Sequence, residues 1–422
     1  MGNLSRSGGT RDKVRFVFLY GPMAHGGIET MILRVANFLT RQGRIVDVCV
    51  NPGGDLEGLL DPRVNVRHYD EIGELRGHFR QMQGVADTPT ILVSFDSSCA
   101  ARGMLLVREF GQDDTLCHIT GVFHPTEYFM PGQPRDRVWL NARVAKALAP
   151  HSMFFMNEEC RTAHAGWLQT ELADSPIIAL PADAPDAIWQ PVSGTELRIV
   201  SVGRLVDFKA YNLGAPLVLK QLLDAGVNAS WDIYGYGELE SAVRAAAAAA
   251  GVDTKLRLRG KLAYERYGEL AGNYDVFVGM GTAAIEAAMS GLPTIVATVG
   301  EQRGSHGFIQ ELPFGNVGER IPGRALHDIG ELLQGYGKRN LQDRLLLSEA
   351  GKHSVSGFTI PAFINQLEAF AMKDARRRPS FGDVFWARLF FSVTEGWIQK
   401  TLLGRGWKRR ILSLFRPIPR RP

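Results

Sequence analysis

The 422-residue sequence predicts an α/β protein with two doubly wound parallel sheets, one in each half of the chain. In both halves, short apolar runs typical of buried strands alternate with segments of helical periodicity, which is the pattern of βαβ units. Between the halves, 181–195 is rich in Pro, Ala, Asp and Gly, and this composition predicts a domain boundary. A chain of this length also favours two domains of about 200 residues each.

In the first half, the signals begin after a polar segment, 1–13, which we predict to be flexible. The apolar run Val14–Tyr20 ends in Gly-Pro and is typical of a strand. Ile28–Thr40 carries apolar side chains at helical spacing and predicts an amphipathic helix. The further predicted strands of this first domain, 14–190, are Ile45–Val50, Ile91–Phe95, Cys117–Val122 and Ile177–Leu180.

In the second half, the alternation restarts and predicts a second domain, 195–375, of the same kind. Its predicted strands are Leu197–Val202, Ser230–Tyr234, Lys255–Arg259, Val276–Val278 and Thr294–Ala297. Its predicted helices are Leu213–Ala225, Glu238–Ala250, Tyr264–Ala271 and Thr282–Ser290. Beyond this domain, 376–403 has large apolar side chains at helical spacing and predicts the final helices, whereas 404–422 is a basic amphipathic tail.

Composition is that of an ordinary globular protein, with 45% apolar and 22% charged residues. The net charge is +4, but 396–422 contains eight Lys or Arg and no acidic residue. Subtracting eight leaves the rest of the chain near −4, so a nucleic-acid groove is not expected. The spacing of the four Cys is not that of metal ligands. No signal peptide is visible. No run approaches the roughly 18–20 apolar residues of a membrane span. We therefore expect a cytoplasmic protein.

Two cations follow the predicted strand Leu197–Val202, in the segment Gly-Arg-Leu-Val-Asp-Phe-Lys, 203–209. Open α/β sheets bind ligands at the carboxyl ends of their strands. There, Arg204 can grip a diphosphate through its guanidinium fork, and Lys209 supplies a point charge. We include Gly203, which opens the segment, in this predicted site. The alternative is a solvated surface pair, the ordinary situation of Arg and Lys.

A small-residue turn, Gly281-Thr282-Ala283, comes directly after the predicted strand Val276–Val278 and opens a predicted helix. Such a turn presents backbone N–H groups to a phosphate, and a helix N-terminus favours an anion. The helix carries one carboxylate, Glu286, whose structural alternative is an ordinary surface position. Together with the two cations, this segment predicts a nucleotide-sugar site.

Two other glycine-rich turns follow predicted strands. Gly26 and Gly27 lie between the first strand and the first helix, where glycine permits close approach of the backbone to a ligand. Gly235 lies in Tyr-Gly-Tyr-Gly, 234–237, after the strand Ser230–Tyr234. Taken alone, the Gly26-Gly27 segment is better explained by a plain tight turn, and the turn at 234–237 is a signal of low specificity.

One histidine, His124, follows the predicted strand Cys117–Val122 in the first domain. It is either a site residue or a satisfied structural histidine. Asp96, after the strand Ile91–Phe95, and Glu127 are weaker companions at the same edge of the predicted sheet.

These segments together resemble the retaining GT-B glycosyltransferases of glycosyltransferase family 4, also called the group 1 type. The resemblance spans roughly Val14–Phe370 and is strongest over Leu197–Thr298. It implies GT-B architecture: two Rossmann-like domains facing across a cleft, with the C-terminal helices crossing back to the first domain.

The resemblance also implies a role for each residue. Arg204 and Lys209 would neutralise the leaving diphosphate, Glu286 would contact the ribose, and His124 would lie near the anomeric carbon. The remaining donor-binding positions that it implies are Gly26, Gly27, Gly203, Gly235, Gly281, Thr282 and Ala283. One position departs from the pattern, because Val278 stands where the Glu-x7-Glu motif of the family has its first Glu.

The implied activity is metal-independent, retaining transfer of a hexose from a nucleoside diphosphate sugar to a glycan or lipid-linked acceptor, in surface polysaccharide or glycolipid assembly. No cofactor or metal is expected, since the chain has no Asp-x-Asp motif. The basic tail predicts binding to an anionic membrane, which gives a peripheral location at its cytoplasmic face; a disordered solubilising tail is the alternative. Because of the departure at Val278, a GT-B protein that binds nucleotide or sugar without catalysis is an alternative function. A GT-B sugar-nucleotide epimerase is a third candidate.

Overall fold

The computed structural model describes residues 14–24, 26–83, 88–111, 115–183, 188–191, 194–262, 266–373 and 379–394. The chain divides into two compact units: one runs to Ile178 and resumes at Phe363, and the other is Ala179–Ala362. The predicted flexible segment 1–13 and the basic tail 404–422 lie outside the described residues.

The first unit contains a six-stranded, wholly parallel sheet. Its strands are β1 (Arg15–Leu19), β2 (Val46–Val50), β3 (Asn65–His68), β4 (Thr90–Phe95), β5 (Leu116–Val122) and β6 (Met153–Phe155). The strand order is β3-β2-β1-β4-β5-β6, so the winding reverses between β1 and β4. The carboxyl ends of those two strands therefore form the crevice where doubly wound sheets bind ligands.

Four helices connect these strands, namely α1 (Gly27–Arg41), α2 (Ile72–Gln83), α3 (Ser97–Phe110) and α4 (Arg135–Leu148), and α5 (Glu158–Leu168) follows β6. The apolar face of α1, with Ile32 and Val35, is buried as its spacing predicts. Two helices begin at side-chain caps, since Asp96 accepts the first amides of α3 and Asn157 accepts an amide of α5.

The second unit contains a seven-stranded sheet in the order β13-β12-β11-β10-β7-β8-β9. Its strands are β7 (Leu197–Val202), β8 (Ala229–Tyr234), β9 (Leu256–Gly260), β10 (Val276–Gly279), β11 (Thr294–Ala297), β12 (Gly304–Phe308) and β13 (His327–Asp328). The strands from β11 to β9 pair in parallel, whereas β12 and β13 add antiparallel pairs at one edge. The winding reverses between β7 and β10, which places a second ligand-binding crevice at their carboxyl ends.

The helices of this unit are α6 (Tyr211–Asp224), α7 (Glu240–Ala250), α8 (Glu269–Asn273), α9 (Thr282–Met289), α10 (Ile329–Gly337) and α11 (Leu341–Ser354). Their inner faces and the sheet enclose one apolar core that includes Tyr211, Trp231 and Tyr336.

The last two described helices, α12 (Ile360–Lys373) and α13 (Phe381–Thr394), return the chain to the first unit. Ser380 and Asp383 exchange side-chain-to-backbone hydrogen bonds in a capping box that starts α13. This helix packs on α3 and α4, with Trp386 against Trp139 at 5.3 Å between ring centroids and Phe390 fully buried. The predicted class, two doubly wound sheets with final helices crossing back to the first domain, is confirmed.

The structure differs from the sequence-based expectation in two predicted segments and in strands β3, β6, β12 and β13, which were not predicted. Of the predicted strand Ile177–Leu180, only Ile177 forms a bridge, because flanking prolines at 176 and 181 have no N–H to donate. The predicted helix Tyr264–Ala271 is the shorter α8, and 263–265 lie outside the described residues. Strand β3 was not predicted, because it is an exposed edge strand with polar residues and so lacks an apolar run.

Candidate functional site

The predicted cation site forms at the carboxyl end of β7. The ammonium of Lys209 lies against Gly203, since a Cβ built at position 203 would be only 2.6 Å from Nζ. Gly203 has φ +155, a conformation that favours glycine. Burial of the half-buried Lys209, together with the charge of Arg204, lowers the pKa of Lys209 from 10.5 to about 8. The structure thus brings both cations to one strand end, with Arg204 exposed.

Neither cation has an anionic partner within the described ranges: none of the ion pairs found there involves Arg204 or Lys209. Lys220, by contrast, pairs with Asp224 on α6 at 2.9 Å. A half-buried ammonium without a carboxylate is unfavourable in the free protein, and an incoming anion relieves that cost.

The turn after β8 is packed onto the turn after β7. The Gly203 amide donates to the Tyr234 carbonyl at 2.9 Å, and the Leu205 amide donates to the Tyr236 carbonyl at 3.0 Å. A Cβ at Gly235 would be 1.9 Å from the carbonyl oxygen of Gly203, so only glycine fits there. The glycine at 235 is therefore required for packing of the site loops, whatever its role toward a ligand.

The helix α9 begins at the neighbouring strand end, after β10. Gly281, with φ +75, turns the chain into the helix, and no side chain caps it. In the described part of the chain, the amides of Thr282 and Ala283 have no acceptor; that of Ala284 bonds to the carbonyl of Gly281 at 3.0 Å. Open amides at the N-terminus of an uncapped helix form an anion site. Glu286, further along α9, is buried, with 4% of its surface exposed.

The structure corrects the interpretation of Val278 as a replaced site residue. Val278 lies inside β10, pairs with Ile295 and is completely buried in the core of the second unit. Its carbonyl accepts a hydrogen bond from Ser201 at 2.6 Å. Only Met280 and Gly281 separate β10 from α9, so this connection carries no carboxylate.

In the first unit, Gly26 and Gly27 stand at the N-terminus of α1 as predicted. The carboxylate of Glu29 folds back over Gly26, since a Cβ at Gly26 would be 2.2 Å from its Oε2, whereas a Cβ at Gly27 would meet open space. An anion that bound these amides would have to displace the Glu29 carboxylate.

His124 is exposed at the end of β5. Its Nδ1 accepts from the amide of Thr126 at 3.2 Å. An N–H can only donate, so the neutral ring carries its proton on Nε2. Burial lowers the pKa of His124, which keeps the ring neutral at pH 7.

Asp96 and Glu127 lie close together at the carboxyl ends of β4 and β5. Asp96 has φ +75 and ψ 161, a region occupied almost only by glycine, and such a conformation costs about 1–3 kcal/mol. Its Oδ1 accepts from the amides of Ser98 at 2.7 Å and Cys99 at 2.9 Å. Glu127 accepts from the Phe123 amide at 2.6 Å through Oε2. Burial, helped by the charge of Asp96, raises the pKa of Glu127 to about 8.

Tyr20, directly after β1, completes this edge and was not among the predicted residues. Burial raises the pKa of its hydroxyl, and the carboxyl groups of Glu29, Asp96 and Glu127 raise it further. No sequence signal marks a Tyr in such surroundings, because the carboxyl groups come from the first turn of α1 and from the segments after β4 and β5.

Comparison with known proteins identifies the fold. No protein-family profile matches the sequence, and no curated protein sequence matches it. Among solved structures, a glycosyltransferase of Rickettsia africae ESF-5 is similar with a TM-score of 0.61 and 14% identity, covering 86% of this chain and 100% of that chain. The apo form of the lipopolysaccharide outer core galactosyltransferase WaaB is similar with a TM-score of 0.57 and 13% identity. TarM from S. aureus, solved with UDP, is similar with a TM-score of 0.57 and 10% identity. Each of these two alignments covers 85% of this chain and 99% of the other chain.

The fold is GT-B. Sequence identities this low support a shared fold but not a shared site. The assignment of the site residues therefore depends only on the geometry described above. Two further properties hold for the described residues: no helix is both long and apolar enough to cross a bilayer, and no three His, Cys, Asp or Glu side chains are grouped as metal ligands.

Proposed function

We propose that the protein is a retaining hexosyltransferase that uses a nucleoside diphosphate sugar. The observation that supports this most directly is the anion site of the second unit. Its cations, Arg204 and Lys209, have no carboxylate partner in the described ranges, and the open amides of α9 occupy the adjacent strand end. Such a site suits a diphosphate and lies where the sheet winding reverses.

In the proposed reaction, the bond between the sugar and the diphosphate breaks and negative charge develops on the leaving phosphate. Lys209 and Arg204 stabilise this charge more in the transition state than in the ground state, which lowers the barrier. The acceptor hydroxyl attacks from the face that the phosphate leaves, so the anomeric configuration is retained. Its proton passes to the leaving phosphate, and no cofactor or metal is required.

The remaining assignments follow from the resemblance. Glu286 contacts the ribose, which requires a local adjustment because this side chain is buried in the free protein. The resemblance assigns His124 to the anomeric carbon; its Nε2–H would be the donor, since its Nδ1 accepts from Thr126. The resemblance also assigns Gly26 and Gly27 to the phosphates, and the Glu29 carboxylate over Gly26 would have to move for an anion to bind there.

The proposal is tested first by thermal unfolding with UDP, GDP, ADP or CMP. A ligand at about 100 times its Kd stabilises the folded state by roughly 2.7 kcal/mol, which shifts the unfolding midpoint measurably. We expect a shift with one diphosphate, its loss in Lys209→Ala, and its retention in the control Lys220→Ala. Hexose transfer from the matching sugar nucleotide should then be abolished in Lys209→Ala, and near-normal turnover in that folded variant would refute the proposal.

The second candidate is a GT-B protein that binds a nucleotide sugar without catalysis. The short connection between β10 and α9 favours it, because no carboxylate from that connection reaches the donor sugar. Nucleotide binding without turnover, over a broad set of acceptors, would support this candidate. Conversion of the sugar nucleotide in the absence of any acceptor would instead indicate an epimerase.

For the acceptor, we propose a glycan or lipid-linked glycan of a surface polysaccharide or glycolipid, met at the cytoplasmic membrane face. The support is the basic composition of 404–422 and the fold shared with a lipopolysaccharide galactosyltransferase. The chain truncated after Leu403 should lose sedimentation with anionic vesicles. Equal sedimentation of the truncated and full chains would show that the tail is not the anchor.

A further inference from the structure

The amine of Lys209 has surroundings that favour covalent chemistry. Three other described lysines, Lys220, Lys255 and Lys352, each pair with a carboxylate at 2.9–3.0 Å. Lys209 has no such pair in the described ranges, and the charge that acts on it is that of a second cation, Arg204. A lysine that is partly desolvated and lies beside another cation is an activated nucleophile, because a larger fraction of its amine is unprotonated.

The backbone around Lys209 holds this amine in one place. The amide of Lys209 donates to the Val206 carbonyl at 2.9 Å, and its carbonyl accepts from Nδ2 of Asn212 at 3.1 Å. The side chain extends into the space left by Gly203. Nζ is hydrogen-bonded to no other described residue and is not one of the fully buried polar atoms without a partner, so solvent reaches it. The amine is therefore positioned, unpaired and accessible to a small reagent.

An anion site adjoins this amine. Arg204 follows the same strand, β7, and α9 begins after the neighbouring strand, β10, with the amides of Thr282 and Ala283 open in the described part of the chain. A guanidinium and the open amides of a helix N-terminus both bind phosphate. A reagent that carries a phosphate is therefore concentrated beside Lys209. If its electrophilic carbon is one bond from the phosphate oxygen, that carbon is presented to Nζ.

We propose that Lys209 is a modification site that is acylated by acyl phosphates, the mixed anhydrides of a carboxylic acid and phosphate. The unprotonated Nζ attacks the carbonyl carbon, and a C–N amide bond forms. The bond from that carbon to the bridging oxygen breaks, and its electron pair leaves on the phosphate. The phosphate takes up the proton that the nitrogen loses, so the products are the amide and hydrogen phosphate, and no further reactant is needed.

Acylation at this position has a consequence for the nucleotide, and this consequence alone rests on the proposed function. An amide is neutral, so the modification removes one of the two cations that would hold a diphosphate and leaves Arg204. The acyl phosphate and the nucleotide use the same cations, so each excludes the other. Bound nucleotide should protect Lys209, and acylated protein should lose its nucleotide-dependent stabilisation. The supply of acyl phosphate would then regulate the proposed activity.

The test is a rate measurement on the full chain. The protein is incubated with acetyl phosphate at about pH 8, near the pKa of Lys209, and the initial rate of acetylation at each lysine is followed by peptide mass spectrometry. The matched control position is Lys338, which is exposed, lies beside Arg339 and has no ion pair in the described ranges. It follows the C-terminus of α10, where the helix dipole disfavours an anion. Acetic anhydride, an acetyl donor without phosphate, is the control reagent.

We expect the rate at Lys209 to saturate with acetyl phosphate and, at low reagent concentration, to exceed that at Lys338 by about 10-fold or more. Inorganic phosphate should compete at Lys209 only. Acetic anhydride should give linear rates at both positions and a smaller preference for Lys209. Arg204→Ala, which removes an exposed side chain, should raise the concentration for half-saturation at Lys209 by about 10-fold and leave Lys338 unchanged.

The proposal is overturned if the rate at Lys209 rises linearly with acetyl phosphate, if it is no faster than at Lys338, or if Arg204→Ala leaves it unchanged. The proposed transferase function fails by a different result, the absence of any stabilisation of the unmodified protein by a nucleoside diphosphate. Acetylation is measured without nucleotide and does not depend on that result. If a nucleotide stabilises the protein but does not slow acetylation of Lys209, the predicted mutual exclusion is wrong.

Discussion

The ammonium of Lys209 occupies the space in which a side chain at position 203 would begin: a Cβ at Gly203 would be 2.6 Å from Nζ. The glycine at the end of β7 thus makes the space in which the lysine approaches the strand end. Because Gly203 also has φ +155, an alanine there would be disfavoured by its own backbone conformation, and its Cβ would displace the lysine ammonium.

Gly203→Ala should therefore abolish most of the nucleotide-dependent stabilisation, since Nζ is pushed away from the strand end. Thermal unfolding with and without the diphosphate measures this. The matched control is Gly226→Ala, which has φ +77 but open space around the added Cβ. It should cost about 1–2 kcal/mol of stability from positive φ alone and keep the full ligand-induced shift. Equal ligand-induced shifts of the unfolding midpoint in the two variants would show that Lys209 does not contribute to nucleotide binding.

The lowered pKa of Lys209, about 8, predicts two opposite pH dependences. Between about 8 and the ordinary 10.5, the unfolded chain holds a proton that the folded lysine has lost, so the contribution of Lys209 to the free energy of unfolding rises with pH. A diphosphate requires the ammonium, so the ligand-induced shift should fall over the same window. Unfolding midpoints from about pH 7 to about pH 10, with and without nucleotide, test both signs.

Lys209→Arg is the matched variant for this experiment, because a guanidinium stays protonated throughout. Whatever its affinity, its ligand-induced shift should not fall in this window. A wild-type shift that is constant with pH would show that Lys209 does not titrate at the site.

Val278→Glu should destabilise the protein by an amount on the order of several kcal/mol and should not improve sugar binding, because position 278 lies in the sheet core. Chemical denaturation and nucleotide titration measure the two effects. Val278→Ala, which only leaves a cavity, should cost about 2 kcal/mol and keep nucleotide binding. A stable Val278→Glu variant with tighter donor binding would show that position 278 is part of the donor site.

Two phenylalanines of α13 test the return of the chain to the first unit. Phe390 is fully buried, with the guanidinium of Arg137 4.3 Å from its ring centroid, whereas Phe381 is 76% exposed. Phe390→Ala should cost about 3–5 kcal/mol in denaturant unfolding, and Phe381→Ala should stay within about 0.5 kcal/mol. Nucleotide binding in the second unit should survive both substitutions. Equal stability of the two variants would mean that α13 is not part of the core of the first unit.

Strand and helix positions could be predicted where periodicity is strong. Both β7 and β11 have the predicted bounds, because most of their side chains are apolar and buried, as is typical of parallel strands. Strand β3 could not be located in this way, since an exposed edge strand lacks that pattern, and of the predicted strand Ile177–Leu180 only a bridge at Ile177 forms. The cations Arg204 and Lys209 were found from their place after a strand, because the carboxyl ends of parallel strands share one edge.

By itself, the sequence determined the doubly wound class, the strand ends that carry charge, and the glycines at which the chain turns, since each depends on neighbours along the chain. Only the tertiary structure decided that Val278 is core, that Glu286 is buried, and that Gly235 is needed for packing against Gly203. It also decided that Asp96 adopts positive φ beside the carboxyl group of Glu127. These relationships join residues from different strand ends, so their distances, burial and pKa values arise only when the sheet has formed.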